Sequence, residues 1–259
     1  MAYTGPRKLY IDSRYRSSGS HSDFTFQLSQ SVEVPHGWIA IIDNIQIPNV
    51  FLTCDGSRNR LYLRLSNSDQ PDQDRTLTLA DGMYNGITLA IELQAQLNAL
   101  GIGTFTVVYG TGTGQLSIGV TGAAFAVLRF LGRSVNRPYD ALEAIGAELV
   151  NGHAMFSGGT VVFPGHVDVA GTRVLYLTSP NLGHYNSLGP RGESDILRAI
   201  YVDQPNGSYI SDRLVNPWEH ISVGGQQLQS LRFRLTDGNG KVVDMRGRSI
   251  AFSILLLNK

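Results

Sequence analysis

The stretch LRFRLTDGNGKVVD, residues 231–244, is the part of this 259-residue chain that decides the fold class. In LRFRL, apolar residues alternate with arginine, which is the two-residue period of a strand with one buried face. The residues DGNG follow directly, and glycine with asparagine or aspartate at the end of a strand is typical of a tight turn. The stretch therefore predicts a half-buried β-strand that ends in a turn, with Phe233 in the core.

Similar short runs, alternating or continuously apolar, recur on both sides of this stretch. The predicted strands are Asp23–Leu28, Trp38–Ile47, Leu61–Leu65, Thr104–Tyr109, Gln115–Val120, Thr160–Phe163, Arg173–Leu177, Ile196–Val202, Leu231–Leu235 and Ser249–Leu257. The chain also contains 29 Gly and 10 Pro, which suits short strands joined by tight turns. Such strands must bury their apolar faces against one another, so we expect an all-β fold, a single jelly-roll β-sandwich.

One segment has a helical pattern instead. Apolar residues recur at helical spacing over Ile87–Leu100, where Asn85 or Thr88 can cap the start and Gly101 suits the end. A second, weaker helical pattern covers Tyr139–Val150. We expect one amphipathic helix inserted in the sandwich, together with loop decorations.

The chain shows neither a repeat nor a low-complexity linker that would divide it. Residues 1–22 are polar and contain a Ser/Gly stretch, which predicts a flexible N-terminal arm whose removal leaves the rest folded. Residues 23–259 are predicted to form one jelly-roll domain, with insertions at about 121–190.

The arm carries the candidate assembly residues. Tyrosine and arginine are enriched at protein interfaces, where they act as anchors. The predicted interface consists of Arg7, Tyr10, Arg14, Tyr15 and Arg16. The same residue types can bind nucleic acid, but a chain with 21 basic and 21 acidic residues has no net charge to attract it. Binding of nucleic acid is therefore not expected.

The basic residues are unevenly divided, since lysine occurs only at Lys8, Lys241 and Lys259 and the other 18 are arginine. Arginine presents a rigid donor fork to carboxylates and is favoured over lysine at interfaces. This bias indicates assembly, although genomic base composition produces the same bias. The single Cys54 permits no internal disulfide, and neither a secretory signal nor a membrane span is visible. We expect folding in a reducing compartment.

One set of residues could support catalysis. His166 and Asp168 form an H-x-D pair, His220 follows some fifty residues later, and Arg232 lies beyond it. Two histidines and a carboxylate can hold Fe(II) with open positions, and iron oxygenases that use a 2-oxoacid resemble this spacing. Three common residue types at loose spacing arise readily by chance, so this is a remote alternative and no metal or cofactor is expected.

Several stretches together resemble one group of proteins. They are LYIDSR (9–14), SDFTFQL (22–28), IQIPN (45–49), DGMY (81–84) before the predicted helix, and LRFRLTDGNGKVVD (231–244). In this order they resemble the penton-type minor capsid proteins of tailless double-stranded DNA viruses, including virophages, polinton-like viruses and relatives of giant viruses. Residues 121–190 match this group least.

The resemblance implies a structural virion protein and not an enzyme. Five copies would close the five-fold vertex of an icosahedral capsid, contacting one another and the major capsid protein, with other minor capsid or spike proteins as further candidate partners. The protein would be part of the virion, assembled inside the infected cell. The alternative is a receptor- or glycan-binding jelly roll at the base of a spike, which an aromatic platform near Tyr139 or Trp218 would favour.

Overall fold

The computed structural model describes residues 5–67, 70–137, 140–148, 152–182, 187–213 and 219–258. The chain divides into two compact units, one formed by residues 1–51 and 172–259 and the other by residues 52–171. We refer to them as the jelly-roll unit and the inserted unit. Apart from one α-helix and one short 3-10 turn, the regular structure of the described residues is β-strand, so the predicted all-β class is confirmed.

The jelly-roll unit contains ten described strands and the 3-10 turn Ser13–Tyr15. The strands are β1 (Arg7–Asp12), β2 (Ser18–Gly19), β3 (Asp23–Glu33), β4 (Trp38–Pro48), β12 (Val174–Thr178), β13 (Ile196–Tyr201), β14 (Tyr209–Arg213), β15 (Ile221–Ser222), β16 (Gln227–Asp237) and β17 (Ala251–Asn258). They are numbered in chain order, and β5–β11 belong to the inserted unit.

These strands form two antiparallel sheets. One sheet has the order β1-β17-β4-β14 with β15 also paired to β4, and the other has the order β13-β12-β16-β3-β2. Without the short strands β2 and β15, the first sheet contains the first, eighth, third and sixth strands of the unit. The second sheet contains the fifth, fourth, seventh and second. Except for the fourth and fifth strands, which are neighbours in one sheet, successive strands alternate between the two sheets as in an eight-stranded jelly roll, which confirms the predicted architecture.

Three phenylalanines join the two sheets in the core of the jelly-roll unit. Phe233 pairs with Phe24 across β16 and β3, with ring centroids 5.7 Å apart. On its other side, Phe233 meets Phe252 of β17 edge-to-face at 4.9 Å. All three side chains are at most 5% exposed. Edge-to-face and tilted aromatic pairs add to the free energy gained from burial, so this cluster is a principal contact between the sheets.

One arginine connects an edge strand of each sheet. Arg198 of β13 donates from Nε to Oδ2 of Asp212 in β14 at 2.7 Å, and its Nη2 donates to the Arg213 carbonyl at 3.3 Å. Its Nη1 also forms an ion pair with Glu219. The Arg198 side chain is only 9% exposed, and the hydrogen bonds to Asp212 raise its pKa. The charge therefore stays paired where the two sheets meet.

The predicted N-terminal arm differs from the structure. Residues 7–12 form β1, which pairs with all but the last two residues of β17, and residues 13–15 and 18–19 form the 3-10 turn and β2. The side chain of Ile11 is 1% exposed and belongs to the core. The sequence prediction was wrong for this segment because only Leu9 and Ile11 of β1 are apolar, too few to reveal a two-residue period.

The inserted unit contains a second pair of sheets. Its elements are β5 (Arg60–Asn67), β6 (Gln70–Thr78), α1 (Gly86–Ala99), β7 (Thr104–Gly110), β8 (Gln115–Thr121), β9 (Val127–Phe130), β10 (His153–Phe156) and β11 (Thr160–Val162). The sheet orders are β10-β9-β5-β6 and β11-β8-β7. A separate core that includes Phe105, Phe130 and Phe163 fills this unit.

The helix predicted over Ile87–Leu100 is present as α1 and protects a sheet edge. Asn85 caps its start through a reciprocal pair of hydrogen bonds with Thr88. The amide of Asn98 bonds both backbone groups of Phe105, and Gln94 accepts from the amide of Val107 at 2.8 Å. Two side-chain amides one helical turn apart thus replace the missing neighbour strand of β7. The second predicted helix is absent from its described part, residues 140–148, in which residues 142–146 form turns.

The division into units also differs from the predicted one domain with insertions near 121–190. The inserted unit begins at residue 52, while β12 at residues 174–178 belongs to the jelly roll. In strands β5, β7 and β8, buried residues alternate with less buried ones, as they would in the strands of a jelly roll. A local alternation shows which face of a strand is buried but not which strand pairs with it.

Substitution of Phe233 by alanine is expected to destabilise the jelly-roll unit by about 3–5 kcal/mol, because it empties the contact between the sheets. Chemical unfolding followed by intrinsic fluorescence measures this change. Gln229→Ala, at an exposed position of the same strand, serves as the control and should stay within about 0.5 kcal/mol of wild type. Equal stability of the two variants would contradict the assigned core.

A chain that begins at Ser13 is expected to lose at least about 3 kcal/mol of stability, since it lacks β1 and the buried Ile11. The measurement is the thermal or denaturant midpoint of the purified chain. Tyr10→Ala, at a 74% exposed position of the same strand, should leave the midpoint unchanged. A truncated chain as stable as wild type would restore the interpretation of this segment as a dispensable arm.

Candidate assembly surface

The outer face of the sheet formed by β1, β17, β4 and β14 carries a trough. Its side chains lie in cross-strand rows, of which two are Tyr10–Ser253–Asn44 and Asp12–Ala251–Gln46. Small residues on the central strand β17 form the floor, and larger residues on β1 and β4 form the walls. The trough has a volume of about 310 Å³, at the lower end of the range for small-ligand sites.

The charged groups at the trough are paired with one another. Lys8 forms an ion pair with Asp43, and the hydrogen bond with Asp43 raises the pKa of Lys8. Arg14 donates from Nε to Oδ2 of Asp12 at 2.9 Å, which lowers the pKa of Asp12 and raises that of Arg14. Both pairs are partly exposed, so each contributes little to stability. They do cancel the charges that would otherwise line the trough.

A hydrogen-bonded turn follows β1 and anchors it to the start of β17. The buried Ser13 exchanges bonds with Ile250, donating from its amide and accepting at Oγ. Because Oγ of Ser13 accepts from Ile250, its hydroxyl proton can be donated to Nδ1 of His21, which lies 2.9 Å away. Arg16 completes the turn by donating to the carbonyls of Ser13 and Gly19. Burial and the neighbouring Arg16 lower the pKa of His21, which keeps its Nδ1 available as an acceptor.

The structure separates the five predicted assembly residues into two groups. Tyr10 and Tyr15 are 74% and 73% exposed, and Arg14 is also exposed, with its guanidinium carbon 5.8 Å from the Tyr15 ring centroid. Arg16 is half-buried and used within the turn, and Arg7 is half-buried opposite Leu256 in β17. The exposed group is therefore Tyr10, Arg14 and Tyr15.

Sequence reasoning missed a fourth exposed member of this face. Tyr209 of β14 is 63% exposed and lies opposite Pro48, one row beyond Gln46. The phenols of Tyr15 and Tyr209 make minor contributions to the raised pKa of Arg14, after its main cause, the bond with Asp12. The sequence YISDR of β14 contains one buried apolar residue, Ile210, which is too weak an alternation to predict a strand.

The candidate iron ligands are not brought together. His166 and Asp168 lie after β11 in the inserted unit, whereas His220 lies before β15 in the jelly-roll unit. Within the described ranges, no three His, Cys, Asp or Glu side chains gather closely enough to hold a metal ion. The ligand set His166, Asp168 and His220 was therefore wrong. The His166 ring instead lies against Gly114, where an added Cβ would come within 2.5 Å of Nδ1.

Two further observations concern the single cysteine and the helical segments. Cys54 is buried, and desolvation raises the pKa of its thiol to about 12, so the thiol stays protonated at neutral pH. None of the helical segments that the structure describes has the length and hydrophobicity needed to cross a lipid bilayer.

The eight-stranded jelly roll, with a second β-sandwich between its third and fourth strands, places the chain among proteins with a penton-type fold. The crystal structure of the mavirus penton protein is similar to it over 98% of this chain and 99% of that chain, with a TM-score of 0.56. The two sequences are 11% identical, so the similarity is one of fold. No protein-family model matches the sequence, and neither does any curated protein sequence.

The turn after β1 is expected to make stability depend on pH. An unfolded histidine titrates near pH 6.5, and the pKa of His21 in the folded chain lies below that value. The stabilisation is therefore complete above pH 6.5 and is lost as the pH falls below it, because only the unfolded state takes up the proton.

The measurement is the difference in denaturant midpoint between pH 7.5 and pH 5.5. His21→Gln, which cannot titrate, should lose less stability over this interval than wild type. His36→Gln, at an exposed histidine of the same unit, is the control and should keep the wild-type difference. If His21→Gln loses as much stability between pH 7.5 and pH 5.5 as wild type does, the proposed role of this histidine is contradicted.

Proposed function

We propose that this chain is a structural virion protein that forms the pentameric five-fold vertex of an icosahedral capsid. The observation that carries the proposal is the match in fold to the mavirus penton protein along nearly the whole of both chains, inserted unit included. A match limited to the jelly roll would support little, because that architecture serves many functions. Agreement through a large insertion at one connection is much more specific.

The surface of the jelly-roll unit suits this role. A closed ring uses heterologous contacts, in which two different flanks of each subunit meet. We propose that the exposed Tyr10, Arg14 and Tyr15, which the sequence predicts as interface residues, form part of one flank, with Tyr209 beside them. Tyrosine and arginine are the residue types that most often anchor interfaces. A net charge of zero also limits repulsion between crowded copies.

In this proposal the chain is not an enzyme and needs no cofactor. Its partners are other copies of itself and the major capsid protein, with other minor capsid or spike proteins as further contacts. It is located in the virion, after assembly inside the host cell. The alternative, a receptor- or glycan-binding jelly roll, would be favoured by an aromatic platform near Tyr139 or Trp218, both of which lie outside the described residues. The match in fold to a penton protein supports the vertex subunit.

The test is the mass and symmetry of the purified full-length protein, measured by native mass spectrometry and negative-stain electron microscopy. We expect assemblies of five chains with five-fold class averages. Arg14→Glu combined with Tyr15→Ala should weaken assembly at least about tenfold, since it removes two anchors. Arg246→Glu, at an exposed turn of the same unit, is the control and should assemble normally. Dimers, trimers or monomers at high micromolar concentration would contradict the proposal.

A further inference from the structure

The residues that line the trough follow the direction of strands β1, β17 and β4. Its floor is formed by Ala251 and Ser253, while Tyr10 stands on one wall. The wall on β1 extends from Lys8 to Asp12, a distance of about 13 Å at the rise of a β-strand. An extended segment of about four residues has the same length. The trough is thus long enough for a short stretch of extended polypeptide lying parallel to β17.

The opposite wall carries two carboxamides at the spacing of alternate residues in a β-strand. Asn44 and Gln46 lie on the same face of β4, two residues apart, which separates them by about 6.7 Å along the strand. An extended peptide repeats its outward-facing amide groups at the same interval, because it has the same two-residue period. Each carboxamide offers both a donor and an acceptor, as does each peptide group. The wall can therefore pair with successive peptide groups of a bound strand.

One of these carboxamides is incompletely satisfied. Oδ1 of Asn44 is buried and has no hydrogen-bond partner in the described part of the chain. Buried polar atoms in folded proteins are nearly always bonded, so a lone acceptor at a wall of the trough calls for an incoming donor. Because Oδ1 is itself buried, the Asn44 side chain has to rotate before it can accept from a peptide N–H in the trough.

The electrostatics favour an uncharged occupant. Lys8 pairs with Asp43 and Arg14 pairs with Asp12, so the ionic groups at the trough are already neutralised within the chain. A charged ligand would have to displace one of these pairs. Peptide backbone carries dipoles without charge, and it fits walls made of amides. The exposed ring of Tyr10 adds a flat apolar surface against which a side chain of the segment can pack.

We propose that the trough holds an extended segment of a second copy of this chain, as the socket of the contact between neighbouring subunits. The inference rests on the proposed function for the identity of the occupant, because the trough is continuous with the surface of Tyr10, Arg14 and Tyr15 assigned to subunit contact. It adds the mode of recognition, in which main-chain groups of one subunit bind side-chain amides of the next. Such pairing favours an extended backbone over any particular sequence.

The experiment measures self-association of two variants of the full-length protein by sedimentation velocity and native mass spectrometry. Ser253→Phe fills the trough from its floor, and Asn44→Leu removes the carboxamide at nearly constant size. Both should weaken self-association at least tenfold. Asn44→Leu should retain the wild-type melting temperature, whereas Ser253→Phe is expected to lower it, because Ser253 is only 4% exposed. Ser117→Phe is the matched control, since Ser117 also lies on the outer face of a central strand, β8 in the inserted unit, and it should assemble as wild type does.

A second measurement does not depend on either variant folding. The photo-cross-linker p-benzoylphenylalanine replaces Tyr10 at the rim of the trough, and irradiation of the assembled protein is followed by peptide mass spectrometry. We expect cross-links to one segment of a second copy. Cross-links confined to the same chain would overturn the proposal. So would saturable binding of a neutral sugar such as lactose that Asn44→Leu removes, because the ligand would then be carbohydrate.

The outcomes separate the two proposals. Five-chain rings that persist unchanged in both trough variants would overturn the socket and leave the vertex function standing. Assemblies of another stoichiometry that both variants disrupt would overturn the vertex function and leave the socket standing. A wild-type chain that stays monomeric at every concentration would overturn both.

Discussion

The contact of Phe233 with Phe24 and Phe252 is the interaction on which the jelly-roll unit depends. Phe24 and Phe233 belong to one sheet and Phe252 to the other, so the cluster fixes how the two inner faces meet. Packing in a protein interior is dense, and large rings leave few alternative arrangements. Because the inner faces of the two sheets pack against each other, the outer faces can carry polar and aromatic residues that contact other molecules.

The outer face of the sheet formed by β1, β17, β4 and β14 is built from strands that are distant in sequence. Tyr10, Ser253 and Asn44 share one row because the N-terminal strand β1 pairs with the C-terminal strand β17, which in turn pairs with β4. The turn around Ser13 strengthens this arrangement by bonding to Ile250. The candidate assembly surface is therefore built from both ends of the chain, so a fragment lacking either end would lack the trough.

The inserted unit is accommodated because its two ends lie side by side. Gly171, with φ of 69°, approaches the Leu52 carbonyl so closely that an added Cβ would lie 2.7 Å from it. Arg58 donates to the same carbonyl at 2.7 Å. A unit whose ends meet can replace a short connection at small entropic cost, because it does not need to separate the strands on either side. This explains how the third and fourth strands of the jelly roll can be so far apart in sequence.

Much of the local structure could be predicted from the sequence, and the exceptions share a cause. The alternation in LRFRL identified β16 and placed Phe233 in the core, and the helical spacing with its Asn85 cap identified α1. The edge strand β6 was missed because its side chains are exposed on both faces apart from Leu77, so burial imposes no period on it. Of the predicted site residues, Tyr10, Arg14 and Tyr15 are exposed, whereas Arg16 is used within its own turn.

By itself, the sequence determined that the chain is all-β, which faces of its main strands are buried, and where its helix lies. Only the tertiary structure decided that residues 52–171 form a separate sandwich and that Tyr10, Ser253 and Asn44 line one trough. The reason is that burial of alternate side chains is a local constraint that each strand records in its own residues. The choice of partner strand depends on backbone hydrogen bonds, which are the same for every residue type and leave little trace in the sequence.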